Sequence, residues 1–122
     1  MSRLMSVSLT EEAVRDRRKT VTRRLGWLFL KPGDRLTLCR KVMGRKKGEP
    51  LTRLAEVEVV SVTREPLDRI RPGDTAREGF PNWSGFQFVA FFCKEMRCAP
   101  DQVVTRIEWR YLDEVVPGRS EP

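Results

Sequence analysis

Apolar and polar positions alternate with a period of two in three stretches, which predicts strands there. Residues 4–9 form a short first strand, with Leu9 at its corner. Residues 35–40 follow the turn Lys31-Pro32-Gly33-Asp34 and form another. Residues 52–64 form the longest, in which the paired Val59-Val60 breaks the alternation and predicts a bulge or a change of face. The closing strand, 103–111, sets Val103, Thr105, Ile107, Trp109 and Tyr111 on one face and Arg106, Glu108 and Arg110 on the other. Between these strands the period changes. Thr10 followed by Glu11-Glu12 is a helix start, which predicts a short helix over 11–17 capped by the Thr10 hydroxyl. Residues 65–70 and 75–79 read as brief helical pieces on either side of the break Arg71-Pro72-Gly73-Asp74, the second ending at Gly79. Ser84 caps a longer helix over 85–97, whose Phe88, Val89, Phe91, Phe92 and Met96 make a broad apolar face for the core. Strands interrupted by short helices, without a βαβ rhythm, predict a small α+β domain on a mostly antiparallel sheet or barrel.

At 122 residues the chain has room for one domain, placed at 1–115 with a frayed tail over 116–122. No apolar run approaches a membrane span, and the first residues lack a secretory signal, so a cytoplasmic protein without a membrane partner is expected. A monomer is the default expectation. Cys39, Cys93 and Cys98 form no CxxC pair, and there is no histidine. Neither a disulfide framework nor a bound metal or other cofactor is expected, and any general base must be Lys, Asp, Glu, Tyr or Cys. Cys39 and Cys93 read as small core residues.

Charge then singles out one stretch. Residues 1–50 hold fourteen Lys/Arg against five Asp/Glu, whereas residues 51–122 hold ten against twelve. Such asymmetry favours a polyanionic partner. Its densest part is Arg17-Arg18-Lys19-Thr20-Val21-Thr22-Arg23-Arg24, followed by Leu25-Gly26-Trp27-Leu28-Phe29-Leu30, an apolar run that calls for burial. As a helical turn, the basic run sets the Lys19 amine and the Thr22 hydroxyl on one face. As a solvated turn, it does nothing. The loop 44–50 adds Arg45, Lys46 and Lys47, which either reach a phosphate backbone or only solubilise a hairpin connection.

Several features in order resemble the ASCH domain family: the Lys19–Arg24 run after a short helix, Lys31-Pro32-Gly33-Asp34 leading a strand, the long Val/Glu strand, Ala76-Arg77-Glu78-Gly79-Phe80, and the closing Val104–Trp109 segment. The resemblance spans about residues 3–112. It implies a β-barrel related to the PUA fold, a cleft beside the barrel mouth, and association with RNA or a modified nucleoside. Some members resemble N4-acetylcytidine amidohydrolases, whose Lys, Thr and Glu correspond here to Lys19, Thr22 and Glu78. The residues around the Glu differ from those enzymes. Thr20, Arg23, Arg24, Phe80, Asn82 and Trp83 are the matching substrate-binding candidates, and Arg17, Arg18, Arg45, Lys46 and Lys47 the nucleic-acid-binding ones. In this reading a Lys amine of lowered pKa, crowded by Arg17, Arg18, Arg23 and Arg24, activates Thr22 or a water, and Glu78 orients it. A pyrimidine would stack on Trp83 and be read by Asn82; Trp83 equally suits a core cap. Lys19 and Glu78 equally suit a plain salt bridge. The alternative function is a non-catalytic RNA-binding module or a ribonuclease.

Overall fold

The computed structural model describes residues 2–112, so the end of the expected domain and the tail over 116–122 lie outside the described residues. Five strands form one sheet: β1 (Arg3–Ser6), β2 (Val21–Arg24), β3 (Arg35–Cys39), β4 (Arg53–Pro66) and β5 (Val103–Tyr111). Their spatial order is β1-β3-β4-β5-β2. Only β1–β3 is parallel; β3–β4, β4–β5 and β5–β2 are antiparallel. Three helices decorate it: α1 (Glu11–Arg15), α2 (Asp74–Arg77) and α3 (Gly85–Met96). The α+β class stands, with the sheet curled into a half-barrel. Among the described residues no helix is long and apolar enough to cross a membrane.

The long strand β4 pairs on both sides, and its register with β5 slips between Val59 and Ser61, where the doubled valine predicted a bulge. Two cores result. Met5, Val14, Leu36, Leu38, Val57, Ile107, Trp109 and Tyr111 fill the concave side, while Leu67, Phe88, Phe92 and Val104 form a smaller cluster beneath α3. The second cluster corrects the facing expected for the last strand. Val103 is 41% exposed, whereas Val104 and Thr105 are both buried, because the start of β5 is covered from two sides. Cys39 is fully buried and Cys93 half-buried.

Local departures from the expected elements have local causes. The first strand ends at Ser6, and a 3-10 turn over Ser8–Thr10 leaves Leu9 exposed. Helix α1 ends at Arg15, because Arg17 takes the left-handed conformation (φ 63°) and its N–H closes back on the Val14 carbonyl. Thr10 precedes α1 without a side-chain cap; its methyl group lies instead where Gly79 comes close. At the start of α3, by contrast, Ser84 and Gln87 form a full capping box. The basic run is not helical. Residues 18–20 have no regular secondary structure and β2 follows, its Val21 and Thr22 suiting a strand paired to β5. The apolar run after it is mostly at the surface: Leu28 is 68% and Phe29 54% exposed, and only Leu30 is buried. Gly26 and Trp27, both at positive φ, turn the chain before the run can enter the core, and the Arg3 guanidinium covers the Phe29 ring at 4.2 Å.

Candidate functional site

The site is assembled where β2 meets the loop after α2. Lys19 is fixed by its main chain: the Lys19 carbonyl accepts hydrogen bonds from Trp109 Nε1 (3.0 Å) and from the Tyr111 hydroxyl. Thr20 continues the anchorage, its N–H donating to the Arg77 carbonyl (2.9 Å) and its carbonyl accepting from the Trp109 N–H (3.0 Å). Glu78 follows α2 and is held by Gly79. At Gly79 φ is 109°, and a Cβ there would lie 3.2 Å from both the Ala13 Cβ and the Thr10 Cγ2. Glycine therefore permits both the turn and the approach of this loop to α1.

Lys19, Thr22 and Glu78 are each about 3% exposed. Lys19 Nζ donates to the Glu78 main-chain carbonyl at 2.6 Å and to Glu78 Oε1 at 3.1 Å. Glu78 Oε2 accepts from Arg23 Nη1 at 3.0 Å. Thr22 Oγ1 accepts from Arg24 Nε at 3.1 Å. All of these side chains line a cleft of about 210 Å³, closed on its other side by Leu9, Phe80, Phe88, Phe91 and Met96. The three residues matched to the resemblance therefore come together, 59 positions apart in the case of Lys19 and Glu78.

Burial is the main reason that the Lys19 pKa falls below the ordinary lysine value. The Glu78 carboxylate opposes the shift, and the charges of Arg24 and Arg23 reinforce it. Crowding by arginines thus works as expected for two of the four. Arg18 is exposed and bonded to Asp16, and Arg17 turns to the Val14 carbonyl and the Tyr111 ring.

Behind the cleft lies a cage that the sequence did not announce. Arg23 and Arg106 sit directly opposite each other across β2 and β5. Two like charges so placed repel. Asp74 sits between them: Oδ2 accepts from Arg23 Nη2 (2.6 Å) and from Arg106 Nε (2.9 Å), and Oδ1 from Arg77 Nη1 (2.9 Å). Glu65 adds a contact to Arg23 Nη2 at 3.0 Å. Burial pushes the Asp74 pKa up, but the hydrogen bonds from Arg106, Arg23 and Arg77 outweigh it and hold the carboxyl far below the usual range. Burial likewise works against the Arg23 charge, and the bonds to Asp74 and Glu78 overcome it.

Other candidates fall elsewhere. Phe80 lines the cleft, but Trp83 and Asn82 do not. Trp83 stacks one face on Phe80 with ring centroids 4.2 Å apart, meets Phe91 edge-on and packs against the cluster under α3, so that face is taken by protein. Asn82 is exposed. Arg45, Lys46 and Lys47 sit on an exposed loop, apart from the cleft. The aromatic face of α3 was read as core throughout; Phe88 and Phe92 are buried, yet together with Phe91 and Met96 they wall the cleft. Among the described residues no group of three or more Cys, Asp or Glu side chains is placed to hold a metal ion.

No protein-family model matches this sequence, and no curated protein does. Solved structures do match in shape. A protein of Enterococcus faecalis V583 bearing the family label DUF984 is 15% identical, with a TM-score of 0.65 over 92% of this chain and 80% of that one. An ASCH domain from Lactobacillus crispatus JV V101 is 13% identical, with a TM-score of 0.57 over 90% and 79%. The ASCH protein of Zymomonas mobilis is 13% identical, with a TM-score of 0.58 over 98% and 79%. Similarity of backbone at such low identity speaks for architecture alone: the chain has the ASCH-like fold.

Proposed function

We propose that this protein is a small amidohydrolase that removes the acyl group from an N4-acylated cytidine nucleoside. The observation that carries the proposal is the convergence of the Lys19 amine, the Thr22 hydroxyl and the Glu78 carboxylate on one bounded cleft. At about 210 Å³ the cleft is smaller than the roughly 300–1,000 Å³ of drug-sized ligand sites. It suits a single base with a small substituent and not a length of polymer. One wall is aromatic and apolar, with Phe80, Phe88, Phe91 and Phe92, and suits a heterocycle; the facing wall carries Lys19, Thr22, Arg24 and Glu78, where an amide would react.

In its neutral form Lys19 takes the Thr22 proton as Oγ1 attacks the acyl carbon. The C–N bond then breaks, and Lys19 returns that proton to the departing exocyclic amine. Lys19 next takes a proton from water as that water attacks the threonyl ester, and passes it to Thr22 Oγ1 as the acyl C–Oγ1 bond breaks and the carboxylic acid leaves. Glu78 holds the amine in place through Oε1 and its carbonyl. The test is a nucleoside-panel assay on wild type and Lys19→Ala in parallel. Cytidine release from N4-acetylcytidine by wild type, lost in Lys19→Ala, is expected. No release at high enzyme load overturns the proposal.

The RNA-binding alternative draws on a separate observation, the exposed cations of the 44–50 loop. They lie outside the cleft lining, so a strand bound there would not pass the Lys19 amine.

A further inference from the structure

Three cations and one anion line the cleft: Lys19, Arg23, Arg24 and Glu78. Lys19 and Arg23 each contact the Glu78 carboxylate, and Arg23 also reaches Asp74 and Glu65. Arg24 has only neutral partners. Its Nε donates to Thr22 Oγ1 and its Nη2 to the Ser6 carbonyl (2.8 Å), and among the described residues no carboxylate lies within salt-bridge distance of it. Burial lowers its pKa, with Glu78 the opposing charge. A second donor is idle next door. Arg23, whose side chain is 0% exposed, has a buried Nε that finds no acceptor. That Nε is sealed from solvent, and the rest of the Arg23 guanidinium is taken by three carboxylates. Arg24, without a carboxylate partner among the described residues, is therefore the cation that the cleft beside the Lys19 amine leaves uncompensated.

We infer that the Arg24 guanidinium forms an oxyanion subsite that receives the carbonyl oxygen of the amide under attack and, after hydrolysis, the carboxylate product. The identity of that oxyanion rests on the amidohydrolase reading; the need for an anion does not. Arg24 already touches Thr22 Oγ1, so its guanidinium lies beside the attacking oxygen and near the carbonyl that this oxygen enters. As the new C–O bond forms, the carbonyl π pair moves onto its oxygen and is met by the guanidinium. When the C–N bond breaks, the pair returns. Positively charged donors fixed in advance around such an oxygen are an efficient way to lower this barrier.

The experiment is a thermal-unfolding titration with sodium acetate against sodium chloride at equal ionic strength, run on wild type, Arg24→Lys and Arg24→Gln. It is paired with kcat and acetate inhibition measured on N4-acetylcytidine. Acetate should raise the wild-type Tm in a concentration-dependent way, because it binds the folded form alone. It should compete with substrate. The Tm response should shrink in Arg24→Lys and vanish in Arg24→Gln, whose kcat should fall about 100-fold. Should Arg24→Gln not fold, the wild-type and Arg24→Lys titrations decide the matter. A wild-type Tm and rate that ignore acetate, or an undiminished response in the variants, overturns the subsite. An acetate response that needs Arg24, in a protein that hydrolyses no acylated cytidine, upholds the subsite and removes the amidohydrolase reading.

Discussion

Replacing Glu78 by Gln removes one negative charge from a pocket in which Lys19 has no other carboxylate within salt-bridge distance among the described residues. The variant leaves a buried ammonium, 3% exposed, with neutral acceptors in place of a charge: the main-chain carbonyl of residue 78 and the glutamine amide oxygen. The fold then has two options. It keeps the proton and bears an uncompensated buried charge, at about 3–5 kcal/mol. Or it releases the proton, which at pH 7 costs about 1.4 kcal/mol for each of the roughly 3.5 units between that pH and the ordinary lysine pKa, about 5 kcal/mol in all. Either way Glu78→Gln loses about 3–5 kcal/mol, a large share of a typical domain's stability of about 5–15 kcal/mol. Lys19→Met is the informative contrast. It removes the cation and fills the space with a chain of similar length, while Glu78 keeps Arg23 Nη1 at 3.0 Å. Its stability should stay within about 1 kcal/mol of wild type, because no charge is stranded. Urea unfolding at matched m-values measures both. The pH dependence gives an internal check. Loss of Glu78 lowers the folded-state Lys19 pKa further, so between the variant's and the wild type's folded values the deficit shrinks as pH rises. Equal destabilisation by the two substitutions, or a Glu78→Gln deficit that grows with pH, would refute this account of the pair.

Hydrolysis should rise with pH through the folded-state pKa of Lys19, on a limb whose midpoint lies below the ordinary value of 10.5, since the neutral amine is the active form; a pH–rate profile checks it, and a flat one contradicts Lys19 as base. Asp74→Asn should lose about 3 kcal/mol at neutral pH, because Arg23 and Arg106 then face each other without their shared carboxylate. Because the folded Asp74 pKa lies below the unfolded value, its contribution is complete above about pH 4 and fades as pH falls through the folded value, so the variant's deficit in acid titrations should narrow at the low-pH end. Gly79→Ala should lose about 1–3 kcal/mol and most activity, since φ 109° strains an L residue and the new methyl presses on Ala13 and Thr10; chemical denaturation and the cytidine-release assay read the two effects. Neutralising Arg45, Lys46 and Lys47 together should leave cytidine release unchanged, as all three lie outside the cleft lining, while flattening the salt dependence of any RNA retention.

What the sequence disclosed was whatever depends on neighbours along the chain. The closing strand over 103–111, the Ser84 cap and the slip at Val59 all follow from local pattern, and the structure reproduces them. Lys19 and Glu78 are hydrogen-bonded and Thr22 lines the same cleft, but its hydroxyl is bonded to Arg24 and not to either of them, and the helical spacing that first paired Lys19 with Thr22 is absent. What stayed hidden depends on register. Nothing near Arg71-Pro72-Gly73-Asp74 says that its aspartate will stand between two arginines brought opposite one another by β2–β5 pairing. The aromatic face of α3 has the composition of a core helix, and only the approach of β2 converts its edge into the wall of a cleft. Trp83 and Asn82 lie outside the lining of the cleft, a placement that composition does not give, and one face of the Trp83 ring is stacked on Phe80.

The sheet order places β2 beyond β5, and among the described residues β5 is the last strand made. On a growing chain, residues 19–24 leave the ribosome early and wait for some eighty more before they find an edge to join. Trp109 and Tyr111, which grip the Lys19 carbonyl, emerge 90 and 92 residues after it. The Lys19 amine is therefore not fixed in place until β5 has been made, and a message cut short before codon 103 would yield a product in which β2 has no strand to pair with.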